Sequence, residues 1–302
     1  MFGSHLSIAG GLHNALEHAQ TLALDTVQVF TKSQQQWKVR PLGERAVADW
    51  NVALDRLGWS DRVVCHASYL INLASPDRDL WKKSVAMMTT EIERCQALRI
   101  RYLVHHPGAF TTSSEQEGIE RIADAYAKIL KSTSGYDTIC CLENTVGSGS
   151  NLGRTFEQLS DLRLRILERT DAPDRVGFCL DTCHAHAGGY DMSTRASAEL
   201  ALTLFDQTCG LDNLHVVHIN DSKGELGSRI DRHAHIGQGT LARGTSHKAL
   251  RASGFCAIMN HPRLAGIPKI LETPKEDTPA GTPMDTINLR RLRRLVDPPA
   301  KR

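Results

Sequence analysis

Eight repeats of a short, β-branched apolar run followed by an amphipathic stretch predict an α/β fold, a single closed (β/α)₈ TIM barrel with its active site at the C-terminal ends of the strands. The strand-like runs fall at residues 2–7, 27–31, 62–67, 102–106, 138–144, 176–181, 214–220 and 268–273. Helix-period stretches alternate with them near 11–23, 44–57, 78–98, 115–132, 154–168, 194–208 and 244–253, with a last one at 285–296. No composition break divides the 302 residues, so one catalytic domain spanning 1–302 is expected, closed by a C-terminal helix and basic tail from 285 onward. An open doubly wound sheet is the alternative, but Ala9-Gly10-Gly11 after the first run lacks the GxGxxG spacing and the acidic partner about 20 residues later.

Composition narrows the class. Hydrophobic residues at 41% and charged residues at 23% are ordinary for a soluble protein, and no apolar run approaches the roughly 18 residues that span a bilayer. The first eight residues carry neither a basic stretch nor an apolar run, so no signal peptide is expected. Eight Cys lie mostly inside apolar segments without zinc-ribbon or disulfide-scaffold spacing, which reads as reduced core thiols in the cytoplasm. Net charge is only +2. If four acids (Glu143, Asp181, Asp231, Glu272) bind metal, 36 Lys and Arg face 30 remaining acids, so the total neither favours nor excludes a nucleic-acid partner.

Taken in order, the strand ends supply ligand-type side chains. The first strand carries His5, and the second leads into Thr31-Lys-Ser-Gln-Gln35-Gln-Trp37. The third ends at His66, followed by Tyr69-Leu70, and the fourth ends His105-His106-Pro107-Gly108. Glu143 closes the fifth and Asp181 the sixth, with His184 three residues on. The seventh ends at His218, its loop bearing Asp231-x-His233, and the eighth ends at Glu272. Each has a plain alternative: His66 as a core imidazole, His106 as a strand-to-turn residue, Asp181 as a helix cap, Asp231 and His233 as solvated loop residues. Glu143 and Glu272 are harder to dismiss, because an unpaired carboxylate at the end of an apolar strand is costly to bury. Together nine nitrogen and oxygen donors converge on one end of a barrel, too many for one tetrahedral ion, which suggests two or three. Strand parity turns His105 and His215 towards the helical layer, and Cys183 is read as packing. His5 supports the site at most, and His186 and His235 stay undecided.

Seven motifs in order then resemble the endonuclease IV family: HxSYLINL (66–73), HPG (106–108), LENTxGxGSNLG (142–153), DTCHAxAxGYD (181–191), HxND (218–221), GSRxDRHxxIGxG (227–239) and IPxILET (267–273). The resemblance implies a zinc-dependent endonuclease of base-excision repair that hydrolyses the phosphodiester 5′ to abasic sites in double-stranded DNA and leaves a 3′-hydroxyl. It also implies removal of blocked 3′ ends. Three Zn²⁺ per chain are implied, with Mn²⁺ as an alternative at one site: His66, His106 and Glu143 at the first, Glu143, Asp181, His218 and Glu272 at the second, and His184, Asp231 and His233 at the third. Glu143 is thereby the expected catalytic residue. A monomer acting in the cytoplasm, associated with the nucleoid of a prokaryote, is expected.

Recognition of DNA is assigned to Gln35, Tyr69 and Leu70. Tyr69 and Leu70 suit a wedge between bases. Gln35 stands where the family commonly places an inserting Arg, which implies weaker and more salt-tolerant binding. Residues 240–254 form a segment longer than the family usually has, expected as a surface insertion. In the tail, Leu289, Leu292 and Val296 are expected on one buried face with four Arg opposite. The rival class is a metal-dependent sugar isomerase or epimerase on the same barrel, which has no need of the Asp231-x-His233 donors.

Overall fold

Strands with apolar residues on both faces must be covered on both, and a computed structural model of the chain, which describes residues 1–298, does this by closing the sheet on itself. Eight parallel strands form the barrel: β1 (Phe2–His5), β2 (Thr26–Val29), β3 (Val63–His66), β4 (Tyr102–His105), β5 (Ile139–Glu143), β6 (Val176–Asp181), β7 (Leu214–His218) and β10 (Lys269–Leu271). β1 pairs with both β2 and β10, and so closes the ring. A short antiparallel pair, β8 (Asp221–Ser222) with β9 (His233–Ala234), rises from the end of β7.

The outer helices are α1 (Leu12–Thr21), α2 (Glu44–Leu57), α3 (Arg78–Ala97), α4 (Glu115–Ser132), α5 (Phe156–Leu167), α7 (Arg195–Thr208), α8 (His247–Ala252), α9 (Gly254–Asn260) and α10 (Met284–Arg293), with a short α6 (Thr182–Gly188) at the rim. Their starts are written locally. Ser114 and Glu117 form a capping box on α4, and Asp77 accepts from the Asp79 and Leu80 amides of α3 at 2.9 Å. Helical spacing then buries Ile119, Ile122, Tyr126 and Ile129 of α4 against the barrel, each burial favouring the fold by roughly 1.5–3 kcal/mol.

The barrel interior explains where chemistry can sit. Val64, Val104, Cys141, Cys179, Val216 and Ile270 form an apolar plug inside the strands. Two residues further along each of those strands, on the same face, come His66, His106, Glu143, Asp181, His218 and Glu272. One alternation therefore seals the floor and loads the rim. All eight cysteines are free and buried, and burial pushes the Cys140 and Cys179 thiols up to about 12. No helix among the described residues is long and apolar enough to cross a membrane.

Two expectations are corrected and a third is refined. His215 does not face the helices. Phe178 pairs with Leu214 and Cys179 with Val216, so His215 is the extra residue of a β-bulge and parity fails there. Its ring stacks on Tyr102 (centroids 5.6 Å apart, 19° between planes) over Gly177, where a Cβ would lie 2.3 Å from the imidazole. In the tail, Leu289 and Leu292 are buried as expected, but Val296 is 46% exposed and Leu295 is buried instead. α10 ends at Arg293 and a tight turn (Leu295 amide to the Leu292 carbonyl, 2.9 Å) breaks the helical period. Residues 299–302 of the expected basic tail lie outside the described residues. The 240–254 segment is exposed at 243 and 245–248, as a surface insertion, and is docked on either side of that stretch. Leu241, Ala242 and Leu250 are buried, and Thr240 donates to the Gly224 carbonyl at 2.6 Å.

Candidate metal centre

Glu143 is the hub. Its carboxylate, fully buried at the end of β5, is met by His66 Nε2 at 3.2 Å, His106 Nε2 at 3.3 Å, His184 Nδ1 at 3.2 Å and His218 Nδ1 at 2.9 Å. Glu272 Oε2 lies 3.1 Å from His218 Nδ1, and Asp181 Oδ2 lies 3.9 Å from it. On the far side His184 Nε2 is 3.1 Å from Asp231 Oδ1, while His233 Nε2 is 3.6 Å from Asp181 and 3.9 Å from Asp231. Four overlapping sets of donor atoms, each within 4.8 Å, emerge: His66, His106 and Glu143; Glu143, Asp181, His218 and Glu272; Glu143, Cys179 and His218; Asp181, His184 and His233. Eight of the nine residues singled out in the sequence fall in these sets, with Glu143 and Asp181 shared between sets. The ninth, Asp231, reaches the same rim through His184, and its expected place in the set with His184 and His233 is taken by Asp181.

The second nitrogen of each ring says what these groups are prepared for. His66 Nδ1 donates to the Ala67 carbonyl at 2.8 Å, His184 Nδ1 to the Asn144 carbonyl at 2.9 Å, and His233 Nδ1 to the Glu272 carbonyl at 3.2 Å. His218 Nε2 donates to Gln28 Oε1 at 2.8 Å. In those tautomers, assigned from the hydrogen bonds, the opposite nitrogen carries a lone pair aimed at a carboxylate. Two electron-rich atoms at such distances repel unless a proton or a cation lies between them. His233 Nε2 is buried without any hydrogen-bond partner. The electrostatics agree. Burial alone would lower the His184 and His218 imidazoles, yet the facing acids and the Cys179 sulfur beside His218 raise both well above the ordinary value. Burial would likewise raise the Glu143 and Glu272 carboxyls, and the imidazoles hold both well below the carboxylate range. The site demands positive charge, and its mixed imidazole and carboxylate donors fit zinc or manganese.

Supporting residues hold these donors, several of which the motifs alone did not single out. Gln28, fully buried on β2, also donates to Glu272 at 2.6 Å and to His5 Nδ1 at 2.9 Å. A polar residue alternating between the buried Val27 and Val29 is the signal that would have found it. Asn220 donates to Asp181 at 2.7 Å and accepts from the Glu272 amide at 2.8 Å, and Asn144 Oδ1 accepts the Asp181 amide at 2.7 Å. Asp181 both caps α6, accepting the His184 amide at 2.7 Å, and faces the donors, so its two readings coexist. Asp221 accepts the Ser222, Gly237 and Leu241 amides, each at 2.9 Å, and so ties the base of the hairpin that carries Asp231 and His233.

The remaining residues sort cleanly. His105 turns outward to the Tyr126 hydroxyl at 2.6 Å, and burial lowers it to about 4. His186 accepts the Met192 amide and His235 bonds Glu276 and Asn288, so both serve the scaffold. Cys183 is buried against the Arg232 carbonyl. Tyr69 stands at the rim, 58% exposed, its ring 5.1 Å from His66 and 5.7 Å from Phe30, with half-buried Leu70 beside it and exposed Gln35 on the neighbouring loop. A cavity of about 710 Å³ opens between Tyr69, His5, Glu272 and His233.

Comparison with known proteins adds to this geometry. A family described as xylose isomerase-like TIM barrel matches residues 16–292. "Probable endonuclease 4" of Trichlorobacter lovleyi is 42% identical over 293 residues, covering 97% of this chain and 98% of the relative. "Probable endonuclease 4" of Chloroflexus aggregans is 41% identical over 295 residues, 98% and 97% of the two chains. The crystal structure of endonuclease IV from Thermus thermophilus superposes with a TM-score of 0.80 at 36% identity, covering 97% of this chain and 98% of that one. A D-tagatose 3-epimerase-like protein, at 20% identity and a TM-score of 0.69, shares the fold alone.

Proposed function

Because the chain belongs to the xylose isomerase-like TIM-barrel family and, within it, to the endonuclease IV family, we propose that it is a metal-dependent DNA-repair endonuclease that cuts duplex DNA 5′ to abasic sites. The whole chain acts as one catalytic domain, as a cytoplasmic monomer. The observation that supports this reading best is the set of buried imidazole lone pairs facing carboxylates across 2.9–3.6 Å, above all the orphaned His233 Nε2. His66, His106 and Glu143 would hold one zinc, Glu143, Asp181, His218 and Glu272 a second, and His184, Asp231 and His233 a third, with manganese able to replace zinc at one of them. Bound there, the ions would supply an acidified water, charge neutralisation on the phosphate and a stabiliser for the leaving oxygen.

The chain's own residues do the rest. Glu143 keeps two donor sets at a fixed spacing, because one rigid strand end carries both of its oxygens. Gln28, Asn144 and Asn220 lock the orientations of His218, Asp181 and Glu272, a supporting role worth about 10–100-fold in metal affinity or activity at comparable sites. The apolar plug under the rim leaves substrate and water only the open face. Tyr69 and Leu70 are shaped to enter the base stack, Gln35 to occupy the space of the absent base, and the cavity beside Tyr69 has room for a sugar–phosphate without a base. The same centre would trim 3′-phosphate and 3′-phosphoglycolate ends.

A sugar isomerase on this barrel would leave His184, Asp231 and His233 without a task. The deciding experiment is incision of a duplex bearing one tetrahydrofuran residue, before and after prolonged chelation, with metal content measured in parallel. Cleavage 5′ to the lesion, lost on chelation, with about three ions per chain is expected. An uncut duplex with one or two ions per chain would overturn the reading.

A further inference from the structure

The loops that carry Gln35 and Tyr69–Leu70 follow different strands, yet one buried carboxylate joins them. Glu91 lies on α3, 1% exposed. Its Oε1 accepts the Ser68 amide at 3.1 Å and pairs with the Lys32 ammonium at 2.9 Å, and its Oε2 accepts the Thr31 hydroxyl at 3.1 Å. One helical turn on, Arg94 extends the same network. Its Nε donates to Thr31 Oγ1 at 3.1 Å, its Nη2 to the Thr31 carbonyl, and its Nη1 to the Arg40 carbonyl at 3.2 Å. Both ends of the first loop are thereby fixed to α3. A direct bond from the Ser68 hydroxyl to the Gln34 carbonyl at 2.7 Å completes the circuit, and Ser68 and Gln34 are immediate neighbours of Tyr69 and Gln35. Neither Glu91 nor Arg94 is among the donors at the metal centre.

We propose that Glu91 is a positioning residue for substrate entry: through Lys32, Thr31 and Ser68 it sets the spacing between the loop bearing Gln35 and the loop bearing Tyr69 and Leu70. This rests on the abasic-DNA reading given above. The physical case is preorganisation. A side chain that must enter a base stack performs best when its backbone is already held, because ordering a loop on binding subtracts from affinity. Lys32 and Gln34 line the cavity beside Tyr69, so the same network shapes one wall of the lesion pocket. The buried ion pair gives the coupling its sensitivity, since removing one partner leaves the other charge uncompensated.

The test compares wild type with Glu91→Gln, and with Glu91→Gln combined with Lys32→Gln, which removes the stranded ammonium. Three readouts are taken: steady-state cleavage of the tetrahydrofuran duplex, metal content, and amide exchange of segments 31–37 and 67–71. For Glu91→Gln the expected result is a KM raised at least fivefold, kcat within twofold, unchanged metal content, and faster exchange in both segments together. The double variant is expected to regain stability but not KM. Ser68→Ala, which removes the loop-to-loop bond and the acceptor of the Leu70 amide but leaves the Ser68 amide on Glu91, should raise KM two- to threefold should Glu91→Gln fold poorly. Unchanged KM in these variants overturns the proposal, as does faster exchange in one segment alone, or a joint fall of kcat and metal content. If the wild type leaves the duplex uncut, the functional reading fails, while the exchange coupling of the two loops is still decided separately.

Discussion

Replacing Glu143 by Gln removes one negative charge from the centre of the site while keeping the shape of the side chain. Three imidazole nitrogens, of His66, His106 and His218, lie 2.9–3.3 Å from its oxygens, so any cation held among them sits about as close. At about 3 Å and an effective dielectric near 20, one pair of unit charges interacts by roughly 5 kcal/mol. An amide oxygen still accepts coordination as a neutral dipole and recovers part of that. A net loss of about 4 kcal/mol in the transition state corresponds to roughly a 10³-fold fall in kcat/KM. The assay is cleavage of an end-labelled duplex containing one tetrahydrofuran residue, with emission spectrometry of the dialysed protein and far-ultraviolet circular dichroism as a folding control. Glu143→Gln should retain native dichroism, bind at least one ion fewer per chain, and cut at least about 10³-fold more slowly. A variant that keeps its full metal complement and cuts within about tenfold of wild type would refute the role given to this carboxylate.

Three further outcomes are expected. Asp231→Asn removes a donor whose side chain is 49% exposed on the β8–β9 hairpin, so it should drop about one ion per chain and slow cleavage at least 10–100-fold with little loss of melting temperature. Gln35→Arg should tighten binding to abasic duplex by about three- to tenfold and steepen the dependence of log K on log salt by up to about 1, and unchanged affinity and slope would contradict the reading of that loop. Lys269, 2% exposed and lowered by burial from 10.5 to about 8, holds fewer protons folded than unfolded between those two pH values. Stability should therefore rise from pH 8 to 10.5, by roughly 3 kcal/mol relative to Lys269→Met, in denaturant titrations at each pH, and a flat difference between the two proteins would remove the cause.

The barrel and its rim were legible because they follow from one rule applied repeatedly. Six of the eight strands are apolar alternations that end in a donor, and register between strands only has to bring those ends level. Where an extra residue interrupts the alternation, as at His215, the rule points the wrong way, and nothing in Leu214-His215-Val216 announces the bulge. The turn after Arg293 is similar: helical period assigns the buried face to Val296, and a tightened last turn hands it to Leu295. Gln28, Asn144, Asn220 and Asp221 were harder to see for another reason. Their importance is relational, arising mostly from atoms 16 to 244 residues away in the chain, and an isolated amide or acid carries no mark of that. The short helix at Thr182–Gly188 entered only as the alternative in which Asp181 is a cap, and the residue serves as both cap and candidate donor.

The cysteines have a consequence for a protein meant to work where DNA is being damaged. Sulfur reacts with peroxide and with alkylating agents as the anion, and sealing a thiol in hydrocarbon withholds the anion. With Cys140, Cys183 and Cys209 each pushed up to about 12, these sulfurs are spectators at neutral pH. The chemistry that breaks the substrate is thereby kept from breaking the tool, for as long as the barrel stays shut.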